Sequence, residues 1–121
     1  MQTMRVYRVE NENGRGPFVH RLLQEINVAM TGDPDADWHI DFPGTLEAFG
    51  PQPLNHVCGT LTLRDLVRWF PRPMRRVLAR HGYGLSVYAM PPHEVKHGRG
   101  DAMQVMFRAA EAVDAHWRPF V

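Results

Sequence analysis

The apolar positions of this chain change period several times, and each change marks an element. In MRVYRVE, Val6 and the aliphatic part of Arg8 alternate with Arg5, Tyr7 and Val9. A period of two rich in β-branched and aromatic residues predicts a strand over 4–10. NENGRGPF follows, with glycines that accept positive φ and a proline suited to a first helical turn. Phe18, Leu22, Ile26 and Met30 then recur every four residues with Leu23 alongside, which predicts a helix over 17–30 with one buried stripe.

From Thr31 to Asn55 no period holds, and Gly, Pro and Asp recur. This acidic, Pro/Gly-rich stretch, 31–55, is expected to be a long loop, with Trp38, Phe42 and Phe49 available to pin it to the core. In HVCGTLTLRDLVRWFP, a short strand around His56 and Cys58 leads to Thr62 and Asp65, spaced like a capping box. Leu63, Leu66, Val67 and Phe70 then make an apolar face. A helix over 63–70 ends at Pro71, and Pro73 opens another over 73–81 that stops at Gly82. YGLSVYAM alternates and predicts a strand, MQVMF at 103–107 predicts another, and the Ala- and Glu-rich RAAEAVDAHW predicts a last helix over 109–116.

The order of elements is irregular, so the expected fold is α+β: a small antiparallel or mixed sheet of three or four strands with about four helices. A length of 121 residues suits a single compact domain over 1–121, with enough chain for a core without disulfides. The single cysteine, Cys58, excludes an internal disulfide framework and agrees with a reducing compartment. No apolar run is long enough to span a membrane, and the N-terminus has no apolar block of the secretory kind. The expectation is a cytoplasmic protein without a membrane partner.

Net charge is +1, but the halves differ. Residues 1–60 carry four basic side chains and eight acids, 4 − 8 = −4; residues 61–121 carry ten and five, 10 − 5 = +5. Arg64, Arg68, Arg72, Arg75 and Arg76 fall on the two middle helices, with Arg80 close behind and Asp65 the only acid between. Such a face suits nucleic acid, with Trp69 as a stacking group, or an acidic protein. The competing expectation is an ordinary solvated face balanced by Asp33, Asp35, Asp37 and Asp41.

Two short patterns invite chemistry. His93-Glu94-Val95-Lys96-His97 spells HExxH, in which two histidines at i and i+4 of a helix hold zinc and the glutamate activates water. Here Pro91-Pro92 precede the motif and Gly98 follows it, so no long helix can carry it, and Met103 stands where some families place a third histidine. A solvated helical turn between two strands is the competing expectation, and no cofactor is expected overall. NGRGP before a helix matches neither glycine pattern of a nucleotide loop and reads as a turn. A Cys58 nucleophile lacks an identifiable third partner.

Across most of the chain, VYRVENENGRGPF, HVCGTLTLRDLVRWF, HGYGLSVYAMP and QVMF resemble a group of short uncharacterised phage and prophage proteins. The resemblance implies a phage accessory role and places HEVKH in a variable turn. Arg8 in VYRVE is also similar to the first-strand residue with which the ADP-ribosyltransferase fold binds NAD. That resemblance implies Ser86 or Tyr88 in the middle of a site and puts Gln104 where the late-strand glutamate would stand, since GDAMQVMF contains no glutamate.

Overall fold

A computed structural model describes residues 2–17, 20–35, 55–98 and 104–120. Six strands form one sheet: β1 (Met4–Asn11), β2 (Val57–Thr60), β3 (Tyr83–Met90), β4 (Val95–His97), β5 (Gln104–Phe107) and β6 (Asp114–Pro119). Three helices accompany them: α1 (His20–Thr31), α2 (Leu63–Trp69) and α3 (Arg72–Arg80). The strand order is β4-β5-β2-β1-β3-β6 and every pairing is antiparallel. The expected three or four strands with four helices are therefore corrected to six strands, with three helices among the described residues.

The largest part of that correction is the tail. Ala109–Glu111 form only a 3-10 turn, and Asp114–Pro119 pair with β3 instead of continuing a helix. Helix propensity in RAAEAVDAHW amounts to tenths of a kcal/mol per residue. Against it stand a ladder from Asp114 opposite Ala89 to Pro119 opposite Gly84, and a Trp117 indole N–H donated to the Glu10 carbonyl at 3.0 Å. A second addition is β4, three residues long and invisible to a periodicity argument.

Elsewhere local signals hold. Leu22 and Ile26 are buried on α1, which ends where Gly32 takes φ +82°. The Asp65 amide donates to the Thr62 hydroxyl at 3.1 Å, capping α2, and Pro71 separates α2 from α3. Met74, Val77 and Leu78 bury one side of α3, and Gly82 turns the chain into β3 at φ +81°.

Strand alternation divides the sheet into two faces. Val9, Cys58 and Tyr83 point to the helices, joining Leu22, Ile26, Leu66, Trp69, Phe70, Met74, Val77 and Leu78 in one core. Val6, Tyr88, Met90, Val95, Val105 and Phe107 form a second core on the opposite face. Both faces of the central strands are thus apolar, and β1, in the middle, serves both.

Candidate functional site

On the face of the sheet away from the helices, Arg8, Ser86 and Tyr88 converge on Glu10. It follows Arg8 by two positions on β1, so both side chains leave the same face. Arg8 Nε donates to Glu10 Oε1 at 2.7 Å, while Arg8 Nη1 donates to the Cys58 carbonyl at 2.9 Å. The other carboxylate oxygen, Oε2, accepts Ser86 Oγ and Tyr88 Oη, each at 2.6 Å. Ser86 lies directly opposite Arg8 in the β1–β3 ladder, so register alone delivers it. Burial, reinforced by the adjacent Glu10 carboxylate, pushes the Tyr88 hydroxyl well above the usual phenol range and keeps it a donor.

This cluster is closed. The side chains of Arg8 and Glu10 are 11% and 6% exposed, and Ser86 is 2% exposed. The Ser86 hydroxyl faces a carboxylate already neutralised by a guanidinium, with little access for a substrate. Its evident work is to satisfy polar groups inside a two-faced sheet. Glu10 went unread in the sequence; the available signal was its i, i+2 relation to Arg8 within an otherwise apolar strand.

The structure does not unite Arg8 with Gln104. Tyr7, Thr60 and Gln104 are aligned across β1, β2 and β5, so they share the helix-side face, while Arg8 leaves from the other. Gln104 is fully buried. Of the residues joined by the resemblance to the transferase fold, Arg8, Ser86 and Tyr88 come together and Gln104 stays apart.

HEVKH takes neither a long helix nor a uniform turn. Pro92–Glu94 make a 3-10 turn and Val95–His97 enter β4, so His93 and His97 do not occupy successive turns of one helix. The Glu94 carboxylate is gripped by Arg108, with Nε at 2.8 Å and Nη2 at 2.6 Å. That hydrogen-bonded guanidinium lowers the Glu94 pKa from its ordinary value. His93 and His97 are exposed, His93 Nε2 lying 3.7 Å from Glu94. Among the described residues no three His, Cys, Asp or Glu side chains are grouped to hold a metal ion.

NGRGP is a turn: Asn11 Oδ1 accepts the amides of Asn13 and Arg15, and Gly14 takes φ +79°. Cys58 is buried on the helix side of β2. Of the acids proposed to balance the arginines, Asp33 and Asp35 are exposed, and Asp37 and Asp41 lie outside the described residues.

The arginine face is more selective than its sequence suggested. Arg64 and Arg68 are exposed one turn apart on α2, and Arg72, Arg76 and Arg80 are exposed at successive turns of α3. Arg75 is withdrawn: its Nη1 donates to the Phe70 carbonyl at 2.6 Å, and burial, with Arg72 nearby, lowers its pKa. Trp69 is only 6% exposed and packs on Phe70 with ring centroids 4.8 Å apart. It belongs to the core, not to a stacking surface. Its place outside is taken by Leu63 and Val67, 48% and 42% exposed beside Arg64 and Arg68.

Compared with known families, residues 4–120 match the one described as bacteriophage T4 Y00F protein. The chain belongs to that family. The match spans nearly the whole chain and agrees with the resemblance to uncharacterised phage proteins. No curated protein and no solved structure matches it. Nothing in the comparisons points to an ADP-ribosyltransferase. As in any such Y00F-family chain, chemistry must be argued from the site itself. No helix among the described residues is long and apolar enough to cross a membrane.

Proposed function

We propose that this phage protein is a cytoplasmic accessory factor that binds an acidic protein segment through the outer faces of α2 and α3. The observation that carries the reading is the mixture on α2: Leu63 and Val67 stand exposed among Arg64 and Arg68, and Arg72 and Arg76 extend the positive charge along α3, whose last arginine, Arg80, pairs with Glu25 at 3.4 Å. Phosphate backbones reward charge and exposed aromatic rings. An acidic amphipathic helix rewards charge together with apolar anchors, which is what this surface offers. With Trp69 in the core, the nucleic-acid alternative loses its stacking group.

The test uses the full chain with two probes, an acidic amphipathic peptide of Glu and Leu and a 20-base-pair duplex. The peptide is expected to bind, more weakly as salt rises, and to lose roughly tenfold in affinity on Val67→Ser and on Arg68→Glu. Duplex binding that matches or exceeds the peptide's and ignores Val67→Ser would overturn the reading in favour of nucleic acid. Binding of neither probe at low salt would leave the arginines an ordinary solvated face and overturn it as well.

A further inference from the structure

Beside α2, the helix-side face of the sheet has a corner that none of the described residues covers. β1, β3 and β6 present Arg5, Tyr7, Leu85, Val87, His116 and Arg118 there, and Leu63 closes one side. The half-open depression has a volume of about 440 Å³, within the usual range for small-molecule sites. Register explains the assembly. Tyr7, Val87 and His116 lie in one row across the three strands, and Leu85 pairs with Arg118 in the row two residues along. The floor is therefore apolar, from Leu63, Leu85, Val87 and the Tyr7 ring, and half-buried rather than sealed.

The rim is cationic and polar. Arg5 stands on the β1 side, and Arg118 and His116 on the β6 side, all exposed. The nearest acid in the ladder is Asp114, aligned with Arg5 through Ala89, and its Oδ2 lies 3.0 Å from His116 Nε2. Sheet spacings put the Arg5 and Arg118 backbones about 16 Å apart on the diagonal, and each guanidinium can reach several ångströms inward. The two can meet opposite ends of one ligand whose middle rests on the apolar floor.

We propose that this corner binds a small organic anion with an aromatic body, carrying phosphate, sulfonate or carboxylate groups at its edge. The ring system lies over Val87 and Leu85 against Tyr7 and Leu63, and the anionic groups take charge-assisted hydrogen bonds from Arg118 and Arg5. Size sets the scale: the cavity holds one ring system with its anionic group and excludes a folded polymer. The site shares Leu63 with the proposed α2 surface but none of that surface's arginines, so the Arg5 and Arg118 variants test it separately.

The test titrates the full chain with three probes: 8-anilino-1-naphthalenesulfonate, adenosine 5′-monophosphate and inorganic phosphate. Saturable binding of the dye, the nucleotide or both is expected, with inorganic phosphate at least tenfold weaker because it leaves the floor unused. Arg118→Ala and Arg5→Ala, both at exposed positions, should each weaken binding by roughly tenfold. Val87→Trp should fill the cavity and abolish binding; near-UV circular dichroism and Tm report whether that variant keeps its fold. Nucleotide binding without the dye, or the reverse, would identify which anionic group the rim selects and would support the proposal. Absence of saturable binding by either aromatic probe at millimolar concentration would overturn it. So would binding indifferent to both arginine variants, or dye binding that persists in a folded Val87→Trp protein.

Discussion

Arg108 holds both carboxylate oxygens of Glu94, joining the 3-10 turn before β4 to the residue that follows β5. The fork places Glu94 in an ion pair, with its pKa below the ordinary value near 4.5. A carboxylate depressed in the folded state contributes stability at pH values above its unfolded pKa. That contribution is lost as pH falls through the lower folded value. The expected outcome of Arg108→Ala is a rise of the Glu94 pKa toward 4.5, read by carbon-detected NMR titration, together with a loss of stability at neutral pH that fades as the pH falls below the folded Glu94 pKa. A Glu94 pKa unmoved by the change would show that the pair does not hold the carboxylate ionised.

Glu10 accepts three side-chain donors inside the sheet, so removing it deprives each of its carboxylate partner and leaves Arg8 only backbone carbonyls. Glu10→Ala leaves the Arg8 guanidinium buried without its carboxylate and is expected to cost about 3 to 5 kcal/mol in urea denaturation. Ser86→Ala and Tyr88→Phe each delete one donor and leave the carboxylate its arginine, for about 1 to 2 kcal/mol apiece. A cost for Glu10→Ala no larger than either single hydroxyl deletion would refute the view of Glu10 as the hub.

Gly59 lies on β2 where it pairs alongside β1, next to Thr60 opposite Tyr7. A Cβ there would stand 2.5 Å from the Tyr7 carbonyl oxygen and 2.9 Å from Val6 Cγ1, with the Phe107 ring at 3.2 Å. Backbone cannot yield as a flexible side chain can. Gly59→Ala is expected to destabilise the fold by about 3 kcal/mol and lower Tm by roughly 10 °C. A thermal melt within a degree or two of the parent protein would contradict this packing.

The edge strand β6 has an equally direct test. Amide protons over 114–118 should exchange in an alternating pattern, protected where they face β3 and fast where they face solvent. Uniform protection over successive residues, the mark of a helix, would restore the expectation that the structure corrected. Trp117→Ala should selectively raise exchange along this strand and cost about 2 kcal/mol, less than a fully buried tryptophan would.

Much of the architecture was legible one segment at a time. Thr62 with Asp65 announced α2, Pro71 and Pro73 its boundary with α3, and alternation in MRVYRVE and YGLSVYAM announced β1 and β3. The candidate sites were less legible, because each depends on what lies across a ladder. The spacing in HEVKH places His93 and His97 on one helix face only if a helix forms, and the 3-10 turn and β4 replace that helix, while Glu94 pairs with Arg108, fourteen positions away. Arg8 and Gln104 looked compatible until the β1, β2 and β5 register put them on opposite faces. Trp69 offered itself as a stacking group, yet the apolar demand of the helix-side core took it inward and left Leu63 and Val67 outside.

Local sequence was enough for the limits of α2 and α3 and for strands β1 and β3, since caps, prolines, glycines and side-chain period act within a few residues, whereas α1 begins at His20, three residues after Pro17. Only the tertiary structure decided that the Ala- and Glu-rich tail becomes β6. A free edge on β3 supplied backbone partners, and Trp117 could reach the Glu10 carbonyl. Together these outweigh helix propensities of tenths of a kcal/mol per residue. The same strand then completes the cationic corner with His116 and Arg118, a site that no local pattern in the tail could announce.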